Sequence, residues 1–220
     1  MLRLLNKDRK KNGLTPLKMQ DDLRTVARKH SQDMARKDYF EHVNLEGKSP
    51  SDRLQIARIT EVTSGENLAK IGGYRNPTHF AEQGLMNSSG HKANILQPLY
   101  NVVGIGIVKD LRRIYYFTQS FARREVLFHK KVPKRLRLNK DLKISGEALG
   151  SVDGILYQIR LAGQKNPLSQ KMIRVQQGKV SFHVEFPHSG IFEIWIFTHP
   201  KDEKSYKLCN KFEITVHEGF

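Results

Sequence analysis

The feature that most constrains this fold is a change in the spacing of apolar residues near residue 100. Before it, QDDLRTVARKHSQDMARKDYF repeats its apolar positions at helical spacing, with His30 on the apolar stripe beside Val26 and Met34. After it, KVSFHVEF alternates apolar and polar side chains, as in a strand with one buried face. A chain of 220 residues is long enough for two domains that each bury a core. We therefore expect a domain that contains helices, followed by one built from strands.

Local signals extend this prediction along the first half of the chain. Four helices are expected before residue 90, one closed by Gly13 and two that begin at Ser49-Pro50 and Asn76-Pro77. Two β-rich runs follow, NVVGIGIVKD and IYYFTQSFA, and the short connection DLRR is typical of a hairpin. Helices around a small antiparallel sheet predict an α/β/α or α+β layered domain that ends near Ala122. His30 is interpreted as a buried histidine with one hydrogen bond.

In the second half, about six or seven short strands separated by turns predict a small β-sandwich. The expected organisation is a first domain over 1–122, a basic linker and first strand over 123–143, and a sandwich-like domain over 144–220. Four histidines of this half lack the short spacing of metal ligands and are interpreted as surface or strand residues: His183, His188, His199 and His217.

The chain carries a net charge of +16, which favours anionic partners. The two parts contribute equally, because 1–122 has 20 basic and 12 acidic residues and 123–220 has 18 and 10. The stretch 123–143 is the basic exception, with nine Lys and Arg, and is interpreted either as a solvated linker with an edge strand or as an anion site. It lacks interleaved aromatic residues and any recognisable nucleic-acid motif, so we expect no nucleic-acid partner.

Cysteine content and hydropathy bear on disulfide bonds, membrane spans and a signal peptide. The single cysteine, Cys209, cannot form an internal disulfide. No apolar run approaches the ~20 residues of a membrane span, so we expect no transmembrane segment. The start MLRLLNKDRKK lacks the apolar region of a signal peptide, so any leader is expected to be absent from this sequence.

Three polar motifs lie in the first domain: YFEHVN with His42, SGENLA with Glu66, and NSSGHKANIL with His91. They follow the helix LRTVARKHSQDMA and precede a Gly-Ile-Gly strand and FTQSFA. In this order they resemble the CAP superfamily (cysteine-rich secretory proteins, antigen 5 and pathogenesis-related proteins, also called SCP-like), most of all its bacterial branch. The resemblance covers roughly residues 3–122 and implies an α/β/α sandwich with a surface cleft, in a secreted or cell-envelope protein.

The resemblance also implies a set of site residues. His42 matches the family's first cleft histidine, Glu66 its first acid and His91 its second histidine. Glu82, in HFAEQGL, is the candidate for the second acid, with Glu46 in reserve. The C-terminal segment FPHSGIFEIWIFTHPKDEKSYKLCNKFEITV is similar to the β domains attached to kyphoscoliosis-type transglutaminase-like proteins.

These residue types allow more than one chemistry. The imidazoles of His42 and His91 can bind a divalent metal, with zinc as the default, and the carboxylates can complete or orient the ligand set. The same groups can form an acid and base pair, or a hydrogen-bonded cluster that only pins loops together. No Ser, Thr or Cys stands in a recognisable nucleophile motif, which favours binding over catalysis. Hydrolysis would need metal-bound water, with Glu66 or Glu82 as base.

Three hypotheses follow for the function. The leading one is an extracellular, periplasmic or cell-envelope protein whose cleft binds a divalent metal or a ligand such as a lipid, a peptide or an envelope polymer, with the β-sandwich as an interaction module. A metal-dependent, peptidase-like hydrolase that uses the same cleft is the second. The third is an adhesion module whose basic stretch, 123–143, contacts anionic envelope polymers.

Overall fold

The structure is a computed structural model that describes residues 1–201 and 204–218. The chain divides into two compact units, of which unit 1 consists of Met1–Ile59 and Thr63–Arg123. Unit 2 consists of Thr60–Val62 and the chain from Arg124 onward. The three residues 60–62 therefore belong to the second unit, although they lie within the span predicted for the first domain. The predicted fold class, a mixed α and β domain followed by an all-β one, is confirmed.

Unit 1 combines helices with one small sheet. In the described part of the chain, no helix is long and apolar enough to cross a membrane. The sheet has the strand order β1-β3-β4-β2, in which β1 pairs parallel with β3 and the other pairs are antiparallel. The elements are α1 (Leu2–Lys11), β1 (Lys18–Met19), α2 (Asp21–Lys37), α3 (Pro50–Ile56), β2 (Ser64–Ile71), α4 (Pro77–Asn87), α5 (Ser89–Ile95), β3 (Val102–Lys109) and β4 (Tyr115–Ala122).

The sheet of unit 1 is covered by helices on both faces, as the α/β/α prediction requires. On one face, α2 and α3 pack on Val102 and Ala122. On the other, Leu5 of α1, Leu85 of α4 and Ile95 of α5 share a core with alternate residues of β3 and β4. Neighbouring strand residues point to opposite faces, so both sides of these strands are buried.

The Gly-Ile-Gly sequence of β3 lets α2 lie unusually close to the sheet. A Cβ on Gly104 would stand 2.1 Å from the backbone carbon of Leu23, and a Cβ on Gly106 would stand 2.4 Å from the backbone of Ala27. Only glycine leaves room for helix backbone at that distance. The two glycines therefore set the position of α2, and with it the loop that follows the helix.

Unit 2 is the β-sandwich that the alternating pattern predicts. Its sheets have the orders β10-β7-β5 and β6-β12-β11-β8-β9. Apolar side chains from both sheets, including Ile144, Phe182, Ile194 and Ile214, form one buried core. The strands are β5 (Val126–Phe128), β6 (Arg135–Arg137), β7 (Leu142–Ala148), β8 (Val152–Leu161), β9 (Ser169–Arg174), β10 (Lys179–Val184), β11 (Gly190–Pro200) and β12 (Lys207–His217).

The basic stretch 123–143 is only partly a solvated segment. Arg124 is buried and its guanidinium donates to the Glu61 carboxylate, which is also buried, so this charge does not face solvent. The stretch also contains β5 and β6, and β6 forms an edge of the five-stranded sheet. Nearby, burial raises the pKa of the Cys209 thiol, which keeps this cysteine protonated.

Candidate functional site

A cavity of about 280 Å³ lies in unit 1, next to the beginnings of α3 and β2. Its wall combines a histidine, a glutamate and three serines with two apolar side chains and one glycine. The lining residues are His42, Pro50, Ser51, Leu54, Ser64, Gly65, Glu66 and Ser120. The cavity thus contains two of the four residues that the sequence nominated, His42 and Glu66.

Glu66 is the centre of the polar contacts in this cavity. It lies in β2, opposite Ser120 of β4, and its side chain is only 4% exposed. Its Oε1 accepts a hydrogen bond from His42 Nδ1 at 2.9 Å, and its Oε2 accepts one from Arg53 Nη2 at 2.7 Å. A buried carboxylate needs such partners, because an unpaired charge loses its hydration. Both oxygens of Glu66 are therefore engaged by neighbouring side chains.

Arg53 is a site residue that the sequence did not nominate. Its Nη1 donates to the carbonyl oxygens of His42, at 2.7 Å, and Lys48, at 2.8 Å, so the same side chain that pairs with Glu66 also fixes the loop carrying the histidine. Arg53 is placed by α3, which begins with a capping box between Ser49 and Asp52. That helix-start sequence, SPSDR, is the one signal that could have drawn attention to this arginine.

His42 is the partly exposed member of the group. Its loop closes in a turn where Asn44 Oδ1 accepts from the amides of Glu46 and Lys48. The His42 side chain is 49% exposed. The hydrogen bond to the Glu66 carboxylate raises the pKa of His42. Because Nδ1 donates to Glu66, the second ring nitrogen, Nε2, is the atom left to meet a ligand, and the described residues give it no hydrogen bond.

His30 of α2 lies behind Glu66 and is buried. Its Nε2 donates to the carbonyl oxygen of Glu41 at 3.1 Å and stands 4.0 Å from Glu66 Oε1. Burial lowers the pKa of His30, so the ring is neutral near neutral pH. The prediction of a buried histidine with one hydrogen bond is confirmed.

Glu82 is placed on the other face of the sheet. Asn67, the neighbour of Glu66 in β2, points to the opposite face. Its Nδ2 donates to Gln119 Oε1 at 3.1 Å, and Gln119 Nε2 donates to Glu82 Oε2 at 2.9 Å. The structure therefore does not bring Glu82 to the cavity that His42 and Glu66 line.

The environment of Glu82 is unusual for a carboxyl group. Its side chain is 2% exposed, and its Oε1 has no hydrogen-bond partner in the described structure. Burial, followed by the negative charge of Asp8, raises the pKa of Glu82 to about 7. This carboxyl therefore changes charge near neutral pH, on the face of the sheet covered by α1, α4 and α5.

The ring of His91 does not line the cavity, and its backbone contacts Asn67, on the other face of the sheet. The carbonyl oxygen of His91 accepts from Asn67 Nδ2 at 3.0 Å, whereas its ring Nδ1 lies 2.9 Å from Ser88 Oγ. Burial, followed by the positive charge of His42, lowers the pKa of His91, so the two rings are within electrostatic reach. The reserve residue, Glu46, is exposed and lies 3.5 Å from Lys37 Nζ.

The donor set at the cavity does not form a closed metal site. Among the residues that the structure describes, no three His, Cys, Asp or Glu side chains are grouped to hold a metal ion. Zinc sites in proteins use at least three protein ligands, yet both oxygens of Glu66 are engaged and the Arg53 cation stands beside them. Zinc coordination by His42 and His91 stays a prediction.

Sequence comparison connects the first unit to known proteins. Residues 2–121 match the model of CAP, the cysteine-rich secretory protein family. The chain is 39% identical over 110 residues to the "Uncharacterized protein YkwD" of Bacillus subtilis (strain 168), covering 50% of this chain and 42% of that protein. It is 34% identical over 124 residues to the "Uncharacterized membrane protein YlbC" of the same organism, covering 56% of this chain and 34% of that protein.

Structure comparison gives the same fold. The chain resembles the crystal structure of an extracellular protein containing an SCP domain from Bacillus anthracis str. Ames, with a TM-score of 0.50 and 30% identity. The match covers 56% of this chain and 39% of that one. This chain therefore spans less than half the length of each of these three relatives.

Proposed function

Because residues 2–121 make this chain a member of the cysteine-rich secretory protein (CAP) family, we propose that it is an extracytoplasmic binding protein whose cavity holds a carboxylate of its ligand. The observation that carries this proposal is the contact of His42 Nδ1 with Glu66 Oε1 at 2.9 Å. It fixes the ring by one nitrogen and leaves Nε2 as the ligand-contacting atom.

The charges around the cavity favour an acceptor group on the ligand. The Arg53 cation offsets the charge of Glu66, and the raised pKa of His42 favours its protonated form, which donates from Nε2. The lining serines add hydroxyl donors. With His42 protonated, the three charged groups sum to a single positive charge, which suits a carboxylate.

The size of the cavity limits what enters it. About 280 Å³ is at the lower end for ligand pockets, so it accepts one terminal group or side chain of a larger molecule. The loop that carries His42 also presents the apolar side chains of Val43 and Leu45, which are 49% and 64% exposed. A peptide or polymer whose carboxylate enters the cavity, with apolar groups beside it, matches this surface.

An extracytoplasmic location is supported by the relative from Bacillus anthracis, whose structure is described as that of an extracellular protein. The family resemblance of the sequence motifs leads to the same expectation. Secretion of a tagged full-length protein, measured as its share in the culture medium and cell envelope, tests this part of the proposal; confinement to the cytoplasm would contradict it.

The binding proposal is tested by an NMR titration of the whole chain with N-acetylglycine, which carries a carboxylate, and with its neutral amide. We expect N-acetylglycine to shift the ring signals of His42 and to raise its pKa, and the amide to do neither. His42→Ala should abolish binding. The matched control, His183→Ala, removes another half-exposed histidine beside a carboxylate, that of Asp141, and should leave binding unchanged. Equal responses to acid and amide would refute the proposal.

A zinc titration tests the alternative, a metal site at His42 and His91. We expect zinc chloride to bind the wild type no more tightly than a His42→Ala/His91→Ala variant. Stoichiometric zinc binding that the double variant loses, with shifts of both ring signals, would replace the carboxylate proposal with a metal site at these two histidines.

A hydrolase remains the second candidate, because a histidine oriented by a buried carboxylate is also the arrangement of a general base. Such an enzyme would cleave members of a peptide library, and this cleavage would be lost in the Glu66→Gln variant and also when a chelator removes metal ions. Cleavage that survives either treatment would not come from a metal-dependent reaction at this site.

A further inference from the structure

The five-stranded sheet of unit 2 has a face that points away from the sandwich core. Along β11, Phe192, Ile194 and Ile196 are buried in the core, so the residues between them, Trp195 among them, point outward. The matched family model ends at residue 121 and says nothing about this surface. We call it the outer face.

One row of the outer face crosses four neighbouring strands. Trp195 pairs with Lys211 on one side and with Gln158 on the other, and Gln158 pairs with Gln170. Directly paired residues of antiparallel strands share a face. The row Lys211–Trp195–Gln158–Gln170 therefore runs straight across the sheet over about 14 Å, at about 4.8 Å for each strand spacing.

The contacts within this row fix its chemistry. Lys211 Nζ lies 3.8 Å from the centre of the Trp195 ring, and the Arg160 guanidinium carbon lies 4.1 Å from it. Lys211 is exposed and has no ion-pair partner among the described residues. At the other end of the row, Gln158 Nε2 donates to Gln170 Oε1 at 3.0 Å, and Gln170 is exposed. The Gln158 oxygen in turn accepts from the Arg160 guanidinium, so both ends of that amide are engaged, and the Trp195 ring already contacts two cations. The row therefore offers the Lys211 ammonium group and the Gln170 amide to a ligand.

The adjacent rows differ in character on the two sides. On one side, Phe197 pairs with Leu156, which pairs with Met172, a residue 72% exposed. On the other side, Glu193 lies between its direct partners Glu213 and Arg160 on the two neighbouring strands. Apolar surface thus borders the row on one side, and two carboxylates with one guanidinium border it on the other.

We propose that the outer face binds a linear acidic polysaccharide along the row from Lys211 to Gln170. The Gln170 amide recognises hydroxyl groups, the row of Phe197, Leu156 and Met172 contacts the carbon–hydrogen faces of sugar rings, and Lys211 pairs with a uronate carboxylate. The sparse charge of such a chain is compatible with a face on which Lys211 and Arg160 stand beside the carboxylates of Glu193 and Glu213. This site is separate from the cavity at His42 and does not depend on its function.

The test is isothermal titration of the full chain with oligogalacturonate, an uncharged malto-oligosaccharide of equal length and oligothymidylate of equal charge. We expect oligogalacturonate to bind most tightly, less so in high salt. Lys211→Ala should weaken its binding about fivefold. At 1.4 kcal/mol for each tenfold change in affinity, this corresponds to about 1 kcal/mol, the size of one surface charge contact. Gln170→Ala, at an exposed edge position, should weaken it without unfolding the sandwich.

The matched control is Lys143→Ala, which removes an exposed lysine of β7 in the three-stranded sheet and changes the net charge equally. It should leave binding unchanged, as should His42→Ala. Equal losses for Lys143→Ala and Lys211→Ala, or equal affinity for oligothymidylate, would reduce the interaction to general charge attraction and overturn the proposal. Failure of oligogalacturonate to bind would overturn it too.

Discussion

Replacement of Glu82 by glutamine should stabilise unit 1 at alkaline pH and change little at acid pH. Burial raises the pKa of Glu82 from an ordinary 4.5 to about 7, so the folded state holds this proton more tightly than the unfolded state does. The stabilisation is complete below the unfolded pKa and is lost as the pH rises through about 7. The difference of 2.5 units corresponds to about 3 kcal/mol at 1.36 kcal/mol per unit. A glutamine side chain at this position does not titrate and can still accept from Gln119, so the variant avoids this loss.

The assay has to report on unit 1 alone, because the one tryptophan, Trp195, lies in unit 2. Native-state hydrogen exchange of the β4 amides around Phe121 does so. We expect Glu82→Gln to slow their exchange, so that the free energy of opening obtained from it rises by about 3 kcal/mol at about pH 8 and by almost nothing near pH 4. Glu46→Gln, at an exposed carboxyl, should show no such dependence. A Glu82→Gln variant that is less stable than wild type at both pH values would refute the buried-acid explanation.

Three further predictions follow from the same structure. Glu66→Gln should lower the pKa of His42 relative to wild type, because it removes the carboxylate that raises it; an NMR titration showing no change would mean that another group holds the ring. Gly104→Ala should destabilise unit 1 by about 3 kcal/mol or more, because the new Cβ meets the backbone of Leu23, and an unchanged midpoint in urea would contradict that close approach. Ser49→Ala should cost about 1 kcal/mol through the loss of the helix cap, measured in the same way, and full stability would argue against the capping box.

Much of the fold could be predicted because its signals are local. The alternation in KVSFHVEF gives a strand with one buried face, and the Ser49-Pro50 start gives a capped helix. Strand β2 was not predicted, because SGENLAKI carries polar side chains on both faces. Glu66 meets Arg53 and His42 on one face, and Asn67 meets Gln119 on the other, so no simple alternation remains.

The site was predictable only in part, because several of its contacts join residues that are far apart in the sequence. His42 and Glu66 stand in recognisable motifs and are in direct contact. Arg53 has no motif of its own, since its partners lie in a separate loop and in β2. Glu82 was nominated through the family resemblance, and a short motif such as HFAEQGL cannot show which face of the sheet its helix covers. Residues 60–62 join unit 2 through a hydrogen bond between Thr60 and Asn210, 150 positions apart, which no local pattern indicates.

The central claim is that Glu66 fixes His42 by Nδ1 and leaves Nε2 to meet the ligand. Nitrogen NMR of the His42 ring tests this claim most directly. One spectrum is recorded above the pKa of His42, where the ring is neutral. A second series is recorded near neutral pH, where the protonated ring is followed as N-acetylglycine is added. The account predicts a neutral ring that carries its proton on Nδ1, and a response to N-acetylglycine centred on Nε2. A neutral ring protonated on Nε2, or a ring that ignores the carboxylate, would contradict it.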